Sequence, residues 1–101
     1  MRCFIACVVF FPSLLWAADE SANQGQAIYE KYCSVCHQDG VAGAPRFQNN
    51  KDWDERLGQK KFDELFASAL KGINAMPAKG TCYECSDEDI KAALEYMLPK
   101  S

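Results

Sequence analysis

The sequence predicts an all-α domain of three to four short helices joined by long loops. Apolar residues recur at steps of three and four in separate segments, which is the helical period. No segment alternates with period two over a useful length, so strands are not expected. Residues 38–50 read as thirteen structureless positions, which in so small a domain call for a large group filling the middle.

Residues 18–24, ADESANQ, are polar and read as a loose lead-in. From Ser21 a helical pattern begins. Ala22, Gly25, Tyr29, Tyr32, Cys33 and Cys36 fall near one face. Gly25 on that face costs about 1 kcal/mol against Ala. It marks either a close backbone approach or a frayed first turn. Residues 38–50, QDGVAGAPRFQNN, are rich in Gly, Asn and Gln and contain Pro45, so they form an irregular loop. Residues 51–57 make a short helix closed by Gly58. Residues 60–71 make a better one, with Phe62, Leu65, Phe66, Ala69 and Leu70 on its apolar face and Gly72 as terminator. Residues 73–85 are again irregular. Residues 86–98 carry the clearest pattern. Ser86 is the N-cap and Asp89 its reciprocal partner. Asp87, Glu88 and Asp89 suit the positive end of the dipole. Ile90, Ala93, Leu94, Met97 and Leu98 form the apolar face, and Pro99 follows the end.

The chain has 101 residues, which allows one small domain and excludes a multidomain enzyme. Residues 1–17, MRCFIACVVFFPSLLWA, hold 14 hydrophobic residues and one charge, Arg2. That run is shorter than the roughly 20 apolar residues of a spanning helix. It reads as a secretory signal peptide cut after Ala17, leaving a domain of residues 18–101 with no transmembrane segment. The competing reading is an uncleaved anchor, since Leu15 and Trp16 make a mediocre cleavage context. Export places the mature protein in the periplasm. Without Arg2 it has 10 basic and 14 acidic side chains, a poor balance for binding nucleic acid. Four cysteines remain: Cys33, Cys36, Cys82 and Cys85. An exported domain of this size needs a covalent or metal staple.

Cys33-Ser34-Val35-Cys36-His37 has the C-x-x-C-H spacing of c-type haem attachment. Two thiols three residues apart lie on one side of a helical turn and can add to the two vinyl groups of one haem. His37 then projects toward the iron. A thioredoxin-like pair would sit beside a βαβ pattern, absent here. A zinc site of two C-x-x-C pairs would bring them closer than the 45 residues between Cys36 and Cys82. His37 is the only histidine, so two histidines from one chain cannot ligate the iron. Met97 belongs to the apolar stripe of the last helix. Met76 stands in a loop that Pro77 keeps out of helical geometry, and it can present its thioether as sixth ligand or serve as simple filler.

These residues resemble the class I c-type cytochromes: CSVCH near the N-terminus, Gly-Ala-Pro after it, Met-Pro later, and an amphipathic last helix with Tyr96. The finer resemblance is to the bacterial cytochrome c5 subgroup, through Tyr32 to Pro45, Asn74 to Met97 and the second cysteine pair. It covers residues 24–98. It implies a small cytochrome c-like fold around one covalently bound haem c. It implies Cys33 and Cys36 as thioether positions, His37 and Met76 as axial iron ligands, and the Pro45 carbonyl as acceptor of the His37 ring N–H. It implies a Cys82–Cys85 disulfide. It also implies that the first and last helices cross at Gly25, Tyr29 and Tyr96, which favours close packing at Gly25.

The expected function is that of a soluble one-electron carrier, not an enzyme, cycling iron between ferrous and ferric states. Its expected partners are redox proteins: a quinol-linked reductase or cytochrome as donor, a terminal oxidase or reductase as acceptor. The alternative of another class is a haem enzyme or gas sensor with a displaceable sixth ligand; the lack of a second histidine counts against it. Lys71, Lys79 and Arg46 could form a basic rim or be ordinary solvated charge. Trp53 has two readings, donation to or packing on a haem propionate, and core packing.

Overall fold

The computed structural model describes residues 17–100. The expected signal segment, residues 1–17, lies outside the described residues but for Ala17, the first residue of α1. Among the described residues the elements are α1 (Ala17–Ile28), a π turn (Tyr29–Cys33), α2 (Ser34–His37), α3 (Asn50–Gln59), α4 (Phe62–Lys71) and α5 (Asp87–Met97). The flanks Ile28 and Cys33 keep helical dihedrals, so α1, the π turn and α2 run as one rod. The all-α expectation holds, with no strand among the described residues.

The rod begins earlier than expected. Residues 18–24 are helical rather than a loose lead-in, because this stretch docks on α5. Gln24 Nε2 donates to Asp89 Oδ1 at 3.0 Å. Next to it, a methyl group built on Gly25 would collide with the Ala92 carbonyl and lie 3.2 Å from Ala93 N. Glycine is therefore what lets the two helices touch backbone to backbone. Ala22, expected on the inner face, is exposed, and Ile28 is buried instead. Beyond the crossing, Tyr29, Phe47 and Tyr96 form an aromatic cluster, with ring centroids 4.7 Å apart for Tyr29–Phe47 and 5.1 Å for Phe47–Tyr96.

α5 has the expected capping box: Ser86 Oγ accepts from Asp89 N, and Asp89 Oδ2 accepts from Ser86 N. Its far end is closed by the loop before α3. Gln48 N donates to the Met97 carbonyl at 2.8 Å, and Gln48 Nε2 donates to the Tyr96 carbonyl at 3.1 Å. These bonds use carbonyls that a helix end leaves unpaired. α3 starts at an Asn49 cap, whose side chain accepts from Asp52 N, and runs through Gly58 to Gln59. Gly58 is thus not a terminator. The helix stops where Lys60 turns to extended backbone. α4 starts two residues later than expected, after Lys61, and ends at Gly72 with φ 87°.

The core gathers Ile28, Tyr29, Cys33, Trp53, Ala69, Ile90, Ala93, Leu94 and Met97, with the Cys82–Cys85 pair. The apolar side chains of α4, Phe62, Leu65, Phe66 and Leu70, pack against it but stay only half-buried.

Candidate functional site

The π turn widens the helix by one residue just before the CSVCH run. Such turns occur inside α-helices, frequently at functional sites. It delivers Cys33 and, four residues on, His37 to the interior. Cys36 is half-buried, and both thiols are free. Burial, helped by the neighbouring Cys36, pushes the Cys33 thiol up to about 11. It is therefore a protonated thiol at neutral pH, unlike the low-pKa cysteine of a redox dithiol.

The loop from Gln38 to Asn49 folds back over α2. Phe47 N donates to the His37 carbonyl at 2.6 Å. The Pro45 carbonyl lies 2.8 Å from His37 Nδ1. A carbonyl can only accept, so Nδ1 carries the proton and Nε2 keeps its lone pair for a ligand. Trp53, buried on α3, stands nearly parallel to the His37 ring at 6.3 Å. Its Nε1 donates to the Arg46 carbonyl at 2.9 Å. Of the readings open for Trp53, its burial and this contact favour core packing over donation to a propionate. Its N–H braces the loop that carries Pro45.

Met76 is half-buried against the core cluster that contains Cys33. Its loop is a tight turn, with Met76 N donating to the Ile73 carbonyl at 2.8 Å and Ile73 N to the Met76 carbonyl at 3.0 Å. The turn packs directly on Gly72: a methyl group there would meet the Met76 carbonyl oxygen at 2.8 Å and Ala78 N at 2.9 Å. Met97, by contrast, is buried on α5, as its place in the apolar stripe requires.

Cys82 and Cys85 are disulfide-bonded, with Cα atoms 5.4 Å apart. Two of the four sulfurs are thereby used, which removes the four-thiolate zinc reading. No cluster of three or more His, Cys, Asp or Glu side chains suited to a metal occurs among the described residues. The basic-rim reading also weakens. Arg46 grips Asp52 through Nε at 2.8 Å, and Lys79 lies 3.6 Å from Asp87, leaving Lys71 exposed. The Arg46 guanidinium holds the Asp52 carboxyl down to about 2.

Two free thiols on one rod, an imidazole with a fixed tautomer, a thioether in the same apolar cluster and a half-covered apolar helix suit a flat apolar macrocycle with two thiol-reactive groups. The comparisons with known proteins agree. The family profile described as "Cytochrome C oxidase, cbb3-type, subunit III" matches residues 20–97. Cytochrome c5 of Ectopseudomonas mendocina is 42% identical over 82 residues, 80% of this chain and 94% of its own length.

The chain belongs to the c-type cytochromes.

Within that family its likeness is to the small monohaem members. A mono-heme ferrocytochrome c from Shewanella putrefaciens is 49% identical, with a TM-score of 0.64 over 76% of this chain and 94% of that one. A cytochrome c in an electron transfer complex with nitrite reductase aligns with a TM-score of 0.67 at 38% identity, over 73% of this chain and 89% of that one. Among the described residues of this cytochrome, no helix is long and apolar enough to cross a membrane.

The π turn, the Trp53–Arg46 brace and the Lys79 contacts were not legible in the sequence. Each depends on a backbone carbonyl or a helical register that no residue type announces.

Proposed function

We propose that the protein is a soluble periplasmic one-electron carrier with a single haem c attached through Cys33 and Cys36 and ligated by His37 and Met76. The observation that carries this reading is the hydrogen bond between His37 Nδ1 and the Pro45 carbonyl, which leaves Nε2 as the ligating atom. When bound, haem supplies the one-electron change between ferrous and ferric iron.

The chain's residues supply the rest. Cys33 and Cys36 fix the macrocycle by thioether bonds. His37 is oriented by Pro45, and the Pro45 loop is in turn braced by Trp53. Met76 offers a thioether, which favours the ferrous state relative to histidine or thiolate ligands. The apolar face of α4 keeps water from the site and holds the surroundings at low polarity. On this reading the protein passes electrons between partners rather than acting as an enzyme. Those partners are redox proteins, a reductase or cytochrome as donor and an oxidase or reductase as acceptor, met through a small transient interface.

The test is a visible spectrum of the exported protein, with and without reductant and carbon monoxide, together with its intact mass. A sharp low-spin ferrous spectrum unmoved by carbon monoxide, and a mass of one haem bound to a chain starting at Ala18, are expected. A large carbon monoxide shift would instead support an enzyme or gas sensor with a displaceable ligand. Haem that extracts into acidified organic solvent would refute the thioether assignment.

A further inference from the structure

We infer that the disulfide-closed turn Cys82–Cys85 clamps the Met76 loop to the CSVCH rod, and that Lys79 is the residue through which the clamp positions Met76. The inference rests on the ligand reading above.

Three observations place the turn between the two segments. First, Lys79, three residues after Met76, donates from Nζ to the Cys85 carbonyl at 2.8 Å and lies 3.6 Å from Asp87 at the start of α5. Second, Glu84, inside the disulfide ring, accepts from Tyr32 Oη at 2.6 Å, and Tyr32 immediately precedes Cys33. Third, the loop itself comes close to the attachment thiol: a methyl group built on Gly80 would lie 3.9 Å from Cys33 Sγ and from the Tyr32 carbonyl. The disulfide sulfurs anchor all this, since Cys82 is 1% and Cys85 8% exposed.

Lys79 is an unexpected residue for its backbone. Its φ is 55°, in the left-handed region that a residue with a side chain enters at a cost. Turn hydrogen bonds run beside it, from Gly80 N to the Pro77 carbonyl at 3.1 Å and from Cys82 N to the Lys79 carbonyl at 3.0 Å. Glycine would adopt this conformation with less strain. What lysine adds is the charged tether, a half-buried hydrogen bond of the stronger, charge-assisted kind. The tether sets the distance between the Pro77–Lys79 stretch and the disulfide turn, and so the height at which Met76 enters the core.

The experiment uses the exported holoprotein and the variants Lys79→Met, Lys79→Gly and Met76→Ala. The readouts are the far-red methionine-to-ferric charge-transfer band and the rate of carbon monoxide binding to the ferrous protein. Far-ultraviolet dichroism and covalently retained haem monitor folding. Both Lys79 variants are expected to stay folded, lose much of the band and bind carbon monoxide roughly tenfold faster, the equivalent of one charge-assisted hydrogen bond. Wild-type band and rate in Lys79→Met, even with a lowered melting temperature, would make the contact merely structural and overturn the proposal. A band kept by Lys79→Gly but lost by Lys79→Met would overturn it too, because backbone conformation and not the tether would then govern Met76. If Met76→Ala kept the band, the ligand reading itself would fall, and the clamp with it. If Met76→Ala lost the band while both Lys79 variants kept it, only the clamp would fail.

Discussion

Gly72 turns at φ 87° directly against Met76, whose carbonyl oxygen would lie 2.8 Å from any β-carbon placed there. The end of α4 and the entry of the Met76 loop are thus one structural decision. With φ 87° and ψ 151°, Gly72 sits in a region open essentially to glycine alone, so replacing it by Ala adds backbone strain of about 1–3 kcal/mol and pushes on backbone, which cannot step aside as a side chain could. The variant should melt lower and bind carbon monoxide in its ferrous form. Unchanged ligand exclusion would show that the loop absorbs the methyl group without moving Met76.

Met76 and Met97 should separate cleanly. On the proposed ligation, Met76→Ala should open the sixth site and lower the reduction potential, since a ligand that favours ferrous iron would be lost. Met97→Leu should do neither, costing ~1 kcal/mol or less as a near volume-conserving change in the core. Potentiometry and carbon monoxide titration of the two variants decide it; ligand binding in Met97→Leu alone would reverse the assignment.

Gly25→Ala tests the helix crossing. In an exposed helix this change would stabilise by about 1 kcal/mol. Here the methyl group meets the Ala92 carbonyl, so overpacking of about 1–3 kcal/mol should win. Denaturant unfolding should give a lower midpoint. A higher midpoint would mean that α1 is free to shift along α5.

The Arg46–Asp52 pair should appear in the acid limb. Asp52 titrates at about 2 in the folded protein, below its ordinary value of 3.8, because the Arg46 guanidinium and backbone N–H bind its charged form. The folded value is depressed, so the stabilisation is complete above about pH 4. It is lost as the pH falls toward 2. Asp52→Asn should flatten the stability profile in that window and leave its slope near neutrality unchanged. An acid limb identical to that of the unsubstituted protein would remove Asp52 from the account.

Much of the molecule was legible along the chain. The cap at Ser86, the apolar stripe of α5 and the C-x-x-C-H run are local patterns, and local patterns survive whatever packs on them. The boundaries of α1 and α3 were less legible. Residues 18–24 carry no strong helical signal, and Gly58 carries a terminating one. Docking on α5 extends the first helix, and the Asn49 cap with continued hydrogen bonding carries α3 past its glycine.

The sequence by itself determined the chemistry: two thiols and an imidazole in one short run, a single histidine, and a methionine before a proline. Through its family resemblance it also named the Pro45 carbonyl as the partner of His37, but it could not determine where the Trp53 N–H would go or that Lys79 would tether the Met76 loop. Those two choices pair a side chain with a backbone carbonyl only six or seven residues away. Every residue carries such a carbonyl, so residue identity cannot select among them. Only the folded path does so, by bringing Arg46 and Cys85 within hydrogen-bonding distance of their donors.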